Sequence, residues 1–256
     1  MKVKENVLIS ELVTFKSEGS VEKVVLVETI EELRQVIQDE PSFFILGKGS
    51  NTLISPDSNQ TIIKLSPSMF PVTASDTLLT VNAGHSIHQL MTFSQEFGLS
   101  GLEFSAGVPA TLGGMVYMNF GCWGYSMSEF VERVHVMDYS GKDFWLSGSE
   151  LKFGYRSSIF HQENWIILEV ELRCVSADPD DIKSTVRKNI AERLEKQPLR
   201  DCTFGSVFKN PEGHFAAKLL DDLGFRGKLY NNSMKFSEKH ANFLVNMGNT
   251  SFNDVD

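Results

Sequence analysis

The chain has 256 residues, 41% of them hydrophobic and 22% charged, a balance that fits a globular protein and argues against disorder. Lys and Arg number 24 against 33 Asp and Glu, a formal charge of −9, so diffuse attraction to nucleic acid or to anionic membranes is excluded as an organising principle. No run approaches ~20 apolar residues, so no membrane-spanning helix is expected.

At the start, Glu5 and Glu11 interrupt the apolar stretch after Lys2 and Lys4, and no signal peptide is read. Cys122, Cys174 and Cys202 are odd in number and far apart, with no CxxC. That spacing indicates neither a disulfide framework nor a zinc site, and it fits a reducing cytosol. The six histidines form no HxxxH or HxH pair, so no metal site is expected.

The first elements alternate. Val24–Val27 reads as a strand. Thr29 then opens a helix as N-cap of a capping box, with Glu32 positioned to reach back. Ile30, Leu33, Val36 and Ile37 share one face of that helix. Phe43–Leu46 is a second strand, ending in Gly47-Lys48-Gly49-Ser50-Asn51, and Thr61–Leu65 is a third. This order predicts a small α/β lobe with parallel pairing over residues 1–66.

The middle lobe, 67–176, begins with a strand at Leu78–Ala83. A helix starts near Ser86, with Ile87, Leu90, Met91 and Phe97 apolar and Gly98 as its stop. Val131–Asp138 and Trp165–Cys174 read as strands. In the latter, Leu168, Val170, Leu172 and Cys174 alternate with Glu169, Glu171 and Arg173, which predicts a sheet with one wet face. Gly107–Gly124 resists assignment to either element.

Ala177-Asp178-Pro179-Asp180-Asp181 is a breaker cluster, and Asp178 or Asp180 can cap a helix over Ile182–Lys196 that stops before Pro198. Residues 177–256 read as a third unit. It holds a strand at Ser206–Lys209, a helix at Phe215–Leu223 ended by Gly224, and a strand at Asn242–Asn246.

Five segments carry chemical potential. In Gly47-Lys48-Gly49-Ser50-Asn51, glycines permit positive φ and let N–H groups approach an anion, though a plain tight turn has the same composition. The spacing meets neither the Rossmann nor the Walker pattern. Gly107-Val108-Pro109-Ala110-Thr111-Leu112-Gly113-Gly114, followed by Asn119, Gly121 and Gly124, is nearly uncharged. It is either a cofactor cradle or a close-packed buried segment. Phe153-Gly154-Tyr155-Arg156-Ser157-Ser158 offers an Arg, whose fixed donors suit a carboxylate or a developing enolate. Gly205-Ser206-Val207-Phe208-Lys209-Asn210-Pro211 offers a Ser that could be a nucleophile, a proton relay or a phosphate ligand. In Ser237-Glu238-Lys239-His240-Ala241-Asn242-Phe243, His240 reads as a hydrogen-bonded structural residue.

Taken together, these motifs resemble the UDP-N-acetylenolpyruvoylglucosamine reductase (MurB) family. The stretches that carry the resemblance are LGKGSNTLI (46–54), GLSGLEFSAGVPATLGG (98–114), NFGCWG (119–124), FGYRSS (153–158), GSVFKNP (205–211) and SEKHANFLVN (237–246). Each is weak alone; six in collinear order are specific. The short gap between Arg156 and Ser206 looks like the family's type II branch.

The resemblance implies an α+β protein: a two-lobed FAD-binding fold of the vanillyl-alcohol-oxidase (PCMH) type with a third α/β substrate-binding lobe. It implies FAD as cofactor, NADPH as reductant, and reduction of UDP-N-acetylglucosamine-enolpyruvate to UDP-N-acetylmuramate for peptidoglycan synthesis. By the same analogy Gly47, Lys48, Gly49, Ser50, Asn51 and Thr52 would hold the FAD pyrophosphate, with Gly107, Val108, Pro109, Thr111, Gly113 and Gly114. Asn119, Gly121 and Gly124 would lie along the flavin. Arg156 would stabilise the enolate, Ser206 would donate the proton, and Lys209 and Asn210 would hold the substrate. A cytoplasmic monomer or weak oligomer, acting on a small nucleotide-sugar and on no nucleic acid, is the matching expectation.

Departures from the family pattern are specific. Lys48 and Ala110 stand where Gly is usual, and Thr14–Gly19 retains only part of a Thr-x-x-x-Gly-Gly stretch. Asn232-Ser233-Met234-Lys235 replaces a Gly-Gly-Ala-Gln pattern. Ser251 looks like the N-cap of a further helix, and no residue up to Asp256 takes the role of the family's C-terminal Glu. A non-catalytic FAD- or nucleotide-sugar-binding paralogue, and an oxidase or dehydrogenase of the same fold, are the alternative readings.

Overall fold

The computed structural model describes residues 1–255. The first elements are β1 (Lys2–Leu8), α1 (Ile9–Leu12), β2 (Ser20–Val27), α2 (Ile30–Asp39), β3 (Phe43–Ile45) and β4 (Thr61–Leu65). Next come β5 (Thr73–Ser75), β6 (Leu78–Asn82), α3 (Ile87–Phe97), β7 (Leu99–Ser100), α4 (Leu112–Tyr117), β8 (Gly121–Cys122) and β9 (Tyr125–Ser126). The remainder are β10 (Val131–Asp138), β11 (Asp143–Ser147), β12 (Trp165–Arg173), β13 (Val175–Ser176), α5 (Pro179–Lys196), α6 (Ala216–Asp222), β14 (Met234–Phe236) and β15 (Leu244–Asn246). The chain divides into two compact units. The first comprises Met1–Val3, Val24–Gly47 and Thr61–Ile190, the second Lys4–Lys23, Lys48–Gln60 and the chain from Ala191 onward.

In the first unit, β2, β4 and β3 pair in parallel, with Val24 opposite Ile62 and Phe43 opposite Thr61. Parallel neighbours need a crossover, and α2 supplies it between β2 and β3. Thr29 caps α2 by accepting from the Glu32 N–H, as the sequence predicts. The Glu32 carboxylate reaches one residue further back than expected and accepts from the Glu28 N–H at 2.7 Å. Leu33, Val36 and Ile37 are buried from α2, while Ile30 is only half-buried.

An antiparallel sheet of order β11-β10-β12-β6-β5 forms the rest of the unit's frame. One face packs against α3 and α4 through Leu79, Val81, Ile87, Leu90, Leu112, Met115, Val134, Val136, Val170 and Leu172. Ser86 caps α3 with a complete capping box, and Gly98 at φ 63° ends it.

The opposite face differs from the single wet face that the alternation predicts. His135 pairs with Glu169, but Val136 pairs with Ile167, so Leu168 is an extra residue in β12. This β-bulge sends Leu168 away from Val170 and Leu172. It packs instead with Val25, Leu33, Ile63, Met137 and Ile166 in a second core. The charged residues beside it are paired rather than solvated. Arg133 donates to both carboxylate oxygens of Glu171 at 2.9 and 3.0 Å, and Glu171 is only 9% exposed. His135 sits between carboxylates, 3.1 Å from Glu169 and 2.9 Å from Asp143, and Arg34 of α2 donates to the same Asp143 at 2.5 Å. The helix α5 starts earlier than predicted, because Pro179 suits a first helical position and Asp178 accepts from the Asp180 N–H at 2.8 Å.

In the second unit, β14 and β15 form an antiparallel pair with Lys235 opposite Val245. The helix α6 follows Phe215 and is closed by Gly224 at φ 77°. The strand predicted at Ser206–Lys209 does not form. Only an isolated bridge joins Ser206 to Phe243. Beyond it, the Asn242 side chain takes both main-chain groups of Phe208, which a strand neighbour would otherwise occupy. Ser251 caps a short 3-10 turn, Phe252–Asp254, by bonds to Asp254.

Candidate active site

The two glycine-rich segments owe their shape to close backbone approach. A Cβ on Gly47 would lie 2.5 Å from the Thr111 hydroxyl, and one on Gly49 would lie 2.3 Å from the Leu12 carbonyl. Real Cβ atoms do not sit at such distances, so both positions require glycine. Gly49 also adopts φ 65°, a conformation glycine enters freely. Among the described residues, no backbone N–H from Gly47 to Asn51 has a protein acceptor, and no side-chain bond engages Lys48, Ser50 or Asn51. A run of unspent main-chain donors in a glycine turn is the arrangement that anion-binding loops use. The N–H groups and glycine contours therefore fit a dinucleotide pyrophosphate. Thr52 is half-buried at the end of the loop.

In the second unit, Thr14 ties this loop to another. Its N–H donates to Gly49 O at 3.1 Å, and its hydroxyl donates to Thr203 O at 2.6 Å. A Cβ on Gly205 would lie 3.6 Å from Ser50 O. Lys48–Asn51 and the Gly205–Ser206 turn are thus neighbours. Ser206 and Lys209 are exposed, and neither side chain has a hydrogen bond or ion pair among the described residues. The Asn210 oxygen accepts from the Ala216 N–H at 3.0 Å, so it serves the start of α6. His240 does not make the expected hydrogen bond at its Nδ1. Its Nδ1 is buried without a partner, its ring packs edge-on against Phe243, and burial together with the nearby Arg226 pushes its pKa down.

In the first unit, Gly107–Gly124 resolves into a loop, α4 and a small hairpin. Gly107 takes φ 80°, Val108 and Ala110 make local turn bonds around Pro109, and Thr111 caps α4 by accepting from the Gly114 N–H at 3.3 Å. Gly113 packs on Ala83, whose Cβ would lie 3.0 Å from a Cβ added there. Beyond α4, Asn119 is buried at φ 39°. Its side chain is fully engaged: Nδ2 donates to Gly154 O at 2.9 Å, and Oδ1 accepts from the Ser128 N–H at 3.0 Å. Gly121 pairs with Ser126, and Trp123 and Gly124 form the hairpin tip with φ 53° and 86°.

Arg156 stands at the tip of a two-residue turn closed by Gly154 N–H to Ser157 O at 3.0 Å and Ser157 N–H to Gly154 O at 3.2 Å. Its φ is 53°, where a glycine is the ordinary occupant. The guanidinium donates to Gly121 O at 2.5 Å and Asn119 O at 3.5 Å, and it lies 5.4 Å from the Phe120 ring and 5.3 Å from the Tyr155 ring. Three of its five donors stay available for a ligand. Asn119, Trp123 and Arg156, all with positive φ, are concentrated around this turn, as strained backbone often is at working sites.

Sequence reasoning missed Asn242 and underrated Thr14. Both act through main-chain groups far along the chain, which no local pattern announces. Among the described residues, no group of three or more His, Cys, Asp or Glu could hold a metal ion, and no helix is long and apolar enough to cross a membrane.

The chain is similar to known proteins along most of its length. Residues 21–147 match the family model of an FAD binding domain, and residues 197–256 match that of the UDP-N-acetylenolpyruvoylglucosamine reductase C-terminal domain. The chain is 35% identical to the reductase of that name from Caldanaerobacter subterraneus over 246 residues, covering 94% of this chain and 81% of that one. It is 37% identical to the one from Thermotoga petrophila, covering 94% and 86%. The solved MurB structure from Thermus caldophilus superposes with a TM-score of 0.85 at 31% identity, covering all of this chain and 92% of that one. The fold is accordingly the α+β, FAD-binding fold of the vanillyl-alcohol-oxidase type. The chain belongs to the UDP-N-acetylenolpyruvoylglucosamine reductase (MurB) family.

Proposed function

We propose that this chain reduces the enolpyruvyl double bond of UDP-N-acetylglucosamine-enolpyruvate, yielding UDP-N-acetylmuramate for peptidoglycan synthesis, with FAD bound and NADPH as reductant. The observation that carries this reading is Arg156, a cation fixed at a strained turn against the carbonyls of Asn119 and Gly121. FAD, when bound, would supply two-electron hydride chemistry between NADPH and the double bond.

The protein's own groups do the rest. The N–H groups of Gly47–Asn51 would bind the pyrophosphate, as would the turn at Gly107–Gly114, and Gly121 and Gly124 would leave room for the flavin beside the backbone. Arg156 meets the negative charge that grows on the substrate carboxylate, an interaction stronger in the transition state than before it. The Ser206 hydroxyl gives its proton to the other carbon of the former double bond and recovers one from water. One hydride and one proton thereby saturate the bond. Lys209 supplies a positive charge for the anionic substrate, while Asn210, whose oxygen caps α6, holds the loop beside it.

The test is spectrophotometric. Protein loaded with FAD should oxidise NADPH only when the enolpyruvyl substrate is present, one equivalent per substrate. Failure to take up FAD would sink the reading. FAD uptake without substrate-dependent oxidation would favour a binding paralogue.

A further inference from the structure

The segment Ser206–Phe208 has little to hold it. Ser206 and Phe208 are exposed, Gly205 precedes them at φ 87°, and Pro211 follows, so neither apolar burial nor a regular ladder fixes the chain. One buried residue does. Asn242 is 3% exposed and makes three bonds to two consecutive residues. Its main-chain O accepts from Val207 N–H at 2.9 Å, its Oδ1 accepts from Phe208 N–H at 2.9 Å, and its Nδ2 donates to Phe208 O at 2.8 Å. A carboxamide can accept and donate in one plane, so it stands in for a strand neighbour. Asn242 is itself held from behind, since Phe243 N–H donates to His240 O and Phe243 O accepts from Ser237 N–H.

We propose that Asn242 is the positioning residue for Ser206 and so governs the proton-transfer half of the reaction. The inference rests on the function proposed above. The side-chain clamp grips Phe208, two residues from Ser206, and rotation of the freed Val207–Phe208 peptide would let the chain that carries the hydroxyl drift from the carbon it protonates. A displacement of 1 Å is worth about 100-fold in rate.

The test uses the FAD-loaded protein and follows the two half-reactions separately by flavin absorbance. Asn242→Leu should leave reduction by NADPH unchanged and slow reoxidation by the enolpyruvyl substrate about 10- to 100-fold. Asn242→Asp should be pH-dependent. Its ionised carboxylate accepts from Phe208 N–H but repels Phe208 O, whereas the protonated acid restores both bonds, so reoxidation should speed up as pH falls. In a Ser206→Ala background, Asn242→Leu should cause no further loss. Independently of activity, amide exchange at Phe208 should accelerate in cofactor-free Asn242→Leu, while Val207, whose acceptor is the main-chain O of residue 242, should change less. Wild-type reoxidation in that variant, equal loss in both half-reactions, or losses that add to Ser206→Ala would each overturn the proposal. A wild-type rate in Ser206→Ala itself would instead remove Ser206 from the proposed function, and the clamp's role with it.

Discussion

The Arg156 turn and the Ser206 loop are built in opposite ways. Arg156 is located by its own side chain, which bonds two carbonyls and lies against two rings, and by a backbone forced to φ 53°. Ser206 is located by others: its hydroxyl has no hydrogen bond among the described residues, and its main chain is fixed by Gly205 and Asn242. The difference reflects the task of each group. A charge that must meet another charge gains from a rigid, pre-aimed guanidinium. A hydroxyl can rotate to suit its partner, so only its Cα needs a fixed place.

Three substitutions put this contrast at risk. Arg156→Ala should lower kcat by about 100- to 1,000-fold, the scale of losing one transition-state donor, while FAD titration stays near wild type. Retained turnover would remove Arg156 from its role. Asn119→Ala frees Gly154 O and Ser128 N–H, so it should loosen the turn and cost about tenfold in reoxidation of reduced flavin by substrate, an effect subsumed when Arg156 is already Ala. Gly205→Ala places a side chain at φ 87° and should cost about 1–2 kcal/mol in denaturant unfolding, with a smaller rate effect than Asn119→Ala.

The smallest effect lies away from both loops, at His135. Burial disfavours its charged form, but Glu169 and Asp143, one at each ring nitrogen, outweigh that and raise its pKa above the ordinary value. Arg34 faces the same Asp143, and Arg133 stacks on Trp145 beside the ring. A raised folded-state pKa means the stabilisation is complete below the unfolded value and fades as pH climbs through the folded one. Wild-type thermal stability should therefore fall more steeply than that of His135→Gln as pH rises past the ordinary histidine value. Parallel curves would show that the clasp carries no charge.

Much of this was legible in the sequence where the cause is local. Thr29, Ser86 and Gly98 cap helices by contacts within four residues, and the strand–helix–strand order leads directly to parallel pairing. The glycines at 47 and 49 announced a tight backbone, and the structure adds main-chain donors without a protein acceptor among the described residues. Non-local causes stayed hidden. Nothing near Ser206 shows that Asn242, 34 residues beyond Phe208, replaces a strand. No propensity suggests an Arg at positive φ, because only the surrounding carbonyls hold it there. The apparent alternation from Leu168 to Cys174 misled because a period-two pattern cannot show where an extra residue interrupts it.

That extra residue makes β12 a strand in two phases. Ile166 and Leu168 belong to one apolar layer, Ile167, Val170 and Leu172 to the other. Excising Leu168 would leave Ile167 beside Glu169 with every remaining pairing to β10 intact, forfeiting one buried side chain. Excising Val170 instead would bring Leu168 opposite His135 and Glu169 opposite Val134, turning that glutamate into an oily layer. Loss of a residue is thus absorbed at the bulge and not farther along the strand.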